Sequence, residues 1–79
     1  MPLVVEFTVE PFVEGAPGPH VQAALDAAEA SGLQVEFGPF GTALSGDDEA
    51  EVLATVDAVV RAAVGAGASR VVVQVERTG

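Results

Sequence analysis

The chain has 79 residues and a net charge of −9, with three arginines and no lysine, so it cannot assemble the basic patch that a nucleic-acid backbone or an anionic membrane surface requires. It has no cysteine and a single histidine, His20, which excludes disulfides and a histidine-built structural metal site. A domain this short buries only roughly 60–65% of the surface its unfolded chain exposes, and without those staples association with another copy is the remaining support. A hydrophobic content of 49% and a mean hydropathy of +0.43 agree with some apolar surface meeting a second chain.

From Leu3 to Glu10, Val5, Phe7 and Val9 alternate with Glu6, Thr8 and Glu10, the period of a strand with one buried face. Pro11 ends it, and the Pro/Gly-rich stretch to Pro19 is a loop. Pro19 suits the first turn of a helix running to about Ser31, with Val21, Ala24, Leu25 and Ala28 on one face and Gly32 as the residue that closes it. Leu33, Val35 and Phe37 alternate with Gln34 and Glu36 as a second strand. The segment Gly38-Pro39-Phe40-Gly41-Thr42 then makes a hairpin into a short third strand.

A second helix is expected to begin near Asp47 or Asp48, where Asp48 and Glu51 have capping-box spacing. Asp47, Asp48, Glu49 and Glu51 read as acids at the positive end of a helix dipole in preference to a metal cluster. Val52, Leu53, Val56, Val59, Val60, Ala63 and Val64 give this helix a wide apolar stripe, ending at Gly65-Ala66-Gly67. Arg70 to Glu76 is the fourth strand, with Val71, Val73 and Val75 inward.

The order βαββαβ predicts an α+β, ferredoxin-like single domain over residues 1–79, an antiparallel sheet of order 4-1-3-2 with both helices on one face. The other face, bearing Glu6, Thr8, Glu10, Gln34, Glu36, Val72, Gln74 and Glu76, is expected to pack on a subunit, stay solvated, or border a pocket. The chain lacks a recognisable signal sequence and any apolar run near the roughly 18 residues of a membrane span, so a cytoplasmic location is expected.

Acid–base and nucleophile pairs are scarce, and no catalytic residue is assigned. His20 could face a ligand from the first helical turn or simply lie exposed or cap the helix. Glu10 and Glu36 belong to the open face, where they could bind a cation or be solvated. Phe12 and Phe40 fall in loops, where a ring can stack on a flat heterocycle or attract a cation, or plug the end of the core.

VEFTVEPF, HVQAALDAAEASGLQVEFGPFGT, LSGD and GASRVVVQV resemble the YkoF-like thiamine-binding protein family over about Val4 to Glu76. The resemblance implies a non-catalytic binder of thiamine or its hydroxymethylpyrimidine moiety, assembled as a homodimer or homotetramer, with that small molecule as ligand and no other cofactor. Gly41 and Thr42 carry the hairpin match, and Glu36 matches a site often acidic or polar in the family. Glu10, Phe12, His20 and Phe40 are added as ligand-binding candidates on physical grounds. The chain departs from the pattern at Ala16-Pro17-Gly18-Pro19, where members often carry serines, and at Gly79, where many continue into a further helix. The alternative is an oligomerising module without a ligand, which predicts a packed interface and no cavity beside Thr42. A small enzyme using Glu10, Glu36 or His20 is a third reading, and it requires one of these buried in a pocket.

Overall fold

A computed structural model describes residues 2–11, 18–38 and 41–78. Strand β1 (Leu3–Glu10) is followed by helix α1 (Pro19–Ala30), strands β2 (Gln34–Gly38) and β3 (Gly41–Gly46), helix α2 (Glu49–Gly65) and strand β4 (Arg70–Arg77). The sheet is antiparallel throughout, in the order β2-β3-β1-β4, which is the ferredoxin-like arrangement expected from the pattern.

The alternation in β1 decides which face is covered. Leu3, Val5, Phe7 and Val9 are buried, and they are opposed by Leu44 and Thr42 of β3 and by Val71, Val73 and Val75 of β4. Directly paired residues share a face, so this set is the side on which the helices lie. Val21, Ala24 and Ala28 of α1 and Val52, Val59 and Ala63 of α2 close the core over it. Leu44, Val5, Val52 and Val59 are the largest side chains fully withdrawn from water, each worth about 1.5–3 kcal/mol of transfer free energy.

The helix ends follow the sequence signals. Proline occupies the first turn of α1, and beyond its C-cap Ser31 comes Gly32 with φ +77°, whose N–H reaches the Glu29 carbonyl at 3.2 Å. In α2 the Asp48 carboxylate accepts from the Glu51 N–H at 3.3 Å, as the capping-box spacing predicts. Buried Thr55 satisfies its hydroxyl by donating to the Glu51 carbonyl at 2.8 Å.

Two expectations for the core need correction. The apolar stripe of α2 is wider than the surface it covers: Leu53 and Val64 remain exposed. Phe37, the last inward residue of β2, is 53% exposed, and Val75 on the inward row of β4 is 45% exposed. Two helices do not roof a four-stranded sheet to its outer strands.

Candidate functional site

The row across the sheet at Phe7 organises the site. Phe7 of β1 faces Thr42 of β3, which in turn faces Phe37 of β2, so the threonine lies between two aromatic residues on the helix side. Thr42 is one of two buried polar side chains among the described residues. Beyond this row the sheet offers Gly38 and Gly41, which pair with one another and have no side chains to fill the space. Val21 and Leu25 of α1 supply the roof.

The result is a cavity of about 260 Å³ between α1 and this end of the sheet. It is lined by Phe7, Thr8, Val9, Glu10, Val21, Leu25, Phe37, Gly38, Gly41 and Thr42. Its walls are chiefly apolar, with the Thr42 side chain and Glu10 as the polar groups best placed to orient a guest. Glu10 is half-exposed and lies 3.6 Å from the Arg70 guanidinium, a rim contact that leaves the carboxylate in reach of solvent. Its backbone is held more firmly, because the Glu10 carbonyl accepts from both the N–H and the hydroxyl of Ser69, at 2.8 and 3.2 Å.

The open face carries a second concavity, a trough of about 430 Å³ bordered by Glu6, Glu36, Ala43, Val72 and Gln74, which shares Phe7, Thr8, Gly38, Gly41 and Thr42 with the first. It is broader and shallower, and its acidic side chains are exposed. It suits hydrated cations or solvent more than an organic ring, which needs enclosure to shed its water.

Of the candidate residues, Glu10 lines the enclosed cavity, Glu36 borders the open trough, opposite Ala43, and Gly41 and Thr42 line both. By register Thr42 points to the helices and Glu36 away from them, and the two concavities meet at the hairpin, whose Gly38, Gly41 and Thr42 line both. His20 lines neither concavity, and its Nε2–H donates to the Pro11 carbonyl just beyond β1. Phe12 and Phe40 lie outside the described residues.

Phe37, Val21 and Leu25 are lining residues that sequence reasoning assigned only to the core. The available signal was the glycine that follows Phe37, which removes part of the packing a core phenylalanine needs. Among the described residues, no group of three or more His, Cys, Asp or Glu gathers as a metal site. The arrangement can stack a flat ring against aromatic walls, hydrogen-bond it through a hydroxyl and attract positive charge at the rim.

The model of a family described as thiamine-binding protein matches residues 5–77. The chain belongs to the thiamine-binding protein family. Solved structures similar to it include a domain of unknown function from Bacillus cereus, 26% identical with a TM-score of 0.71, the match covering 96% of this chain and 73% of that one. Another is a protein from Thermotoga maritima provisionally assigned to thiamine biosynthesis or salvage, 25% identical with a TM-score of 0.57, covering 96% of this chain and 81% of that one. No curated protein matches the sequence significantly. The family places this chain in a thiamine-related role.

Proposed function

We propose that the protein is a non-catalytic, homo-oligomeric, cytoplasmic carrier or sensor that binds thiamine or its hydroxymethylpyrimidine moiety in the cavity beside Thr42. The observation that carries the reading is the cavity itself, about 260 Å³ of mainly apolar space with a buried threonine between Phe7 and Phe37. A space of this size suits a single flat ring, which a pyrimidine supplies. The cationic thiazolium of intact thiamine would extend toward Glu10 at the rim, in the field of a chain carrying −9. The same field opposes a diphosphate, so thiamine and the free pyrimidine rank ahead of thiamine diphosphate.

The ligand-free module predicts no cavity at this place, and the cavity therefore favours a binder. The catalytic reading needs a carboxylate or imidazole buried in a pocket. Glu10 is half-exposed, Glu36 borders an open trough and His20 is occupied at Pro11, so the geometry supports binding over turnover.

Isothermal titration with thiamine, hydroxymethylpyrimidine and thiamine diphosphate tests the proposal. Micromolar binding of the first two is expected. Thr42→Val, which keeps the shape and removes the hydroxyl, should weaken it by roughly tenfold, the effect of one lost hydrogen bond in an enclosed site. Absence of heat from all three ligands would overturn the reading.

A further inference from the structure

The enclosed cavity sits where α1 is least supported. Ala24 and Ala28 are fully buried in the core, and the helix packs chiefly on α2 and much less on the sheet. Its N-terminal half carries Val21 and Leu25, which roof the empty space. A wall that faces a void has lost its dispersion partners on that side, so packing alone does not fix the height of this roof. A helix held along one flank and at its far end is free to tilt at the near one.

One side chain bridges the gap at that near end. His20 stands one residue before Val21 on the roof, Pro11 stands one residue after Glu10 on the floor, and the His20 Nε2–H donates to the Pro11 carbonyl. A carbonyl has only lone pairs to offer, so Nε2 is necessarily the donor. Among the described residues this is the one hydrogen bond that runs from α1 to the end of β1. Both ends of the bridge are seated. On the floor, the Glu10 carbonyl beside Pro11 is held by the N–H and hydroxyl of Ser69. On the roof, the Gly18 carbonyl accepts from the Val21 and Gln22 N–H groups at 3.1 Å, and the His20 ring lies against Gly18. A Cβ at Gly18 would stand 2.6 Å from the ring's Cε1 and 2.9 Å from its Nδ1, so only glycine leaves this seat open.

We propose that His20 is a positioning residue, a clasp that holds the α1 roof at a fixed height over the β1 floor and so presets the cavity for a flat ring. The inference rests on the cavity being a binding site. His20 lines neither concavity, so its effect on binding passes through the walls and not through contact with the guest. Preordered walls spare a ligand the cost of ordering them, and a site that is formed only part of the time binds more weakly by that fraction. A flat ring is the class of guest most sensitive to this, because it needs Val21 and Leu25 on one side and Phe7 and Thr42 on the other at one separation. The bridge itself is a single exposed hydrogen bond, so its loss should change affinity while leaving the global fold in place.

Isothermal titration of the full chain with thiamine, paired with amide hydrogen exchange of the ligand-free protein, tests the clasp. His20→Ala should weaken binding by roughly three- to tenfold and speed exchange from Val21 to Leu25, with the chemical denaturation midpoint close to that of the wild type. His20→Gln, whose Nε2 can donate to the same carbonyl, should recover most of both effects. Gly18→Ala keeps the histidine and has a φ of −80°, ordinary for alanine, yet its Cβ displaces the ring. It should weaken binding as His20→Ala does, and the two changes together should weaken it no more than either alone. Wild-type affinity in His20→Ala, a glutamine variant no better than the alanine one, or an affinity loss that merely follows a loss of global stability would each overturn the proposal. A wild type silent to thiamine would instead overturn the binding reading. The exchange measurement would still decide the clasp, which unchanged protection from Val21 to Leu25 in His20→Ala would sink.

Discussion

Thr42 and Gly41 are adjacent, yet they serve the cavity in different ways: one supplies a hydroxyl and the other supplies room. Gly41 has φ +152°, and a Cβ built there would approach the Phe7 carbonyl oxygen at 3.0 Å and the Thr8 Cγ2 at 3.1 Å. Gly41→Ala therefore meets both an unfavourable backbone and a crowded neighbour that is itself part of the sheet. A loss of about 1–3 kcal/mol in unfolding free energy by chemical denaturation is expected. An unchanged denaturation midpoint would show that this strand end yields freely. The sequence marked both residues through the hairpin but left open the face that Thr42 takes. A one-residue slip in strand register moves every side chain to the other side, and the pairing with Phe7 and Phe37 that selects the helix side is a long-range outcome. Glu36 and Thr42, close in sequence, therefore project from opposite faces of the sheet, although both border the open trough.

The elements themselves were legible because each has a strong local cause. Period-two alternation marked β1 and β4, proline opened α1, and Asp48 capped α2. What local pattern could not supply was coverage. The stripe on α2 and the inward rows of β2 and β4 look equally apolar along their lengths, while the width of the helix pair leaves Leu53, Val64, Phe37 and Val75 outside. The pairing of elements also carries a pH signature. Two hydrogen bonds from Arg77 of β4 hold the Glu49 carboxyl of α2 below its ordinary value, although slight burial works in the other direction. A carboxyl whose folded value is depressed contributes stability that is fully present above its unfolded value. That stability is lost as pH falls through the folded value. Glu49→Gln should accordingly be less stable than wild type near neutrality and lose less on acidification between roughly pH 5 and pH 3. Thermal unfolding across that range is the measurement, and parallel curves for the two proteins would remove Glu49 from the acid limb.

At the scale of the molecule, charge acts on the fold as a whole. Twelve acids against three arginines share a body whose longest dimension is 35 Å. At about 10 mM salt the screening length is about 30 Å, so nearly every carboxylate feels every other, whereas at about 150 mM it is about 8 Å and only neighbours interact. Added salt also weakens the attractive pairs, but the three found among the described residues, Arg61–Asp57, Arg70–Glu10 and Arg77–Glu49, are all largely exposed. Such pairs are each worth about 0–1 kcal/mol, and the net repulsion should outweigh them. Raising sodium chloride from about 10 to about 150 mM should thus raise the melting temperature by several degrees, the counterpart of about 1 kcal/mol in a domain of this size. Chloride is the appropriate anion because sulfate would strengthen apolar burial independently. The same screening lowers the repulsion between two chains that each carry −9, so the homo-oligomer proposed above should tighten over the same range. A melting temperature that fell with salt would assign the balance to the ion pairs, and with it a larger share of the stability to the Arg77–Glu49 contact between β4 and α2.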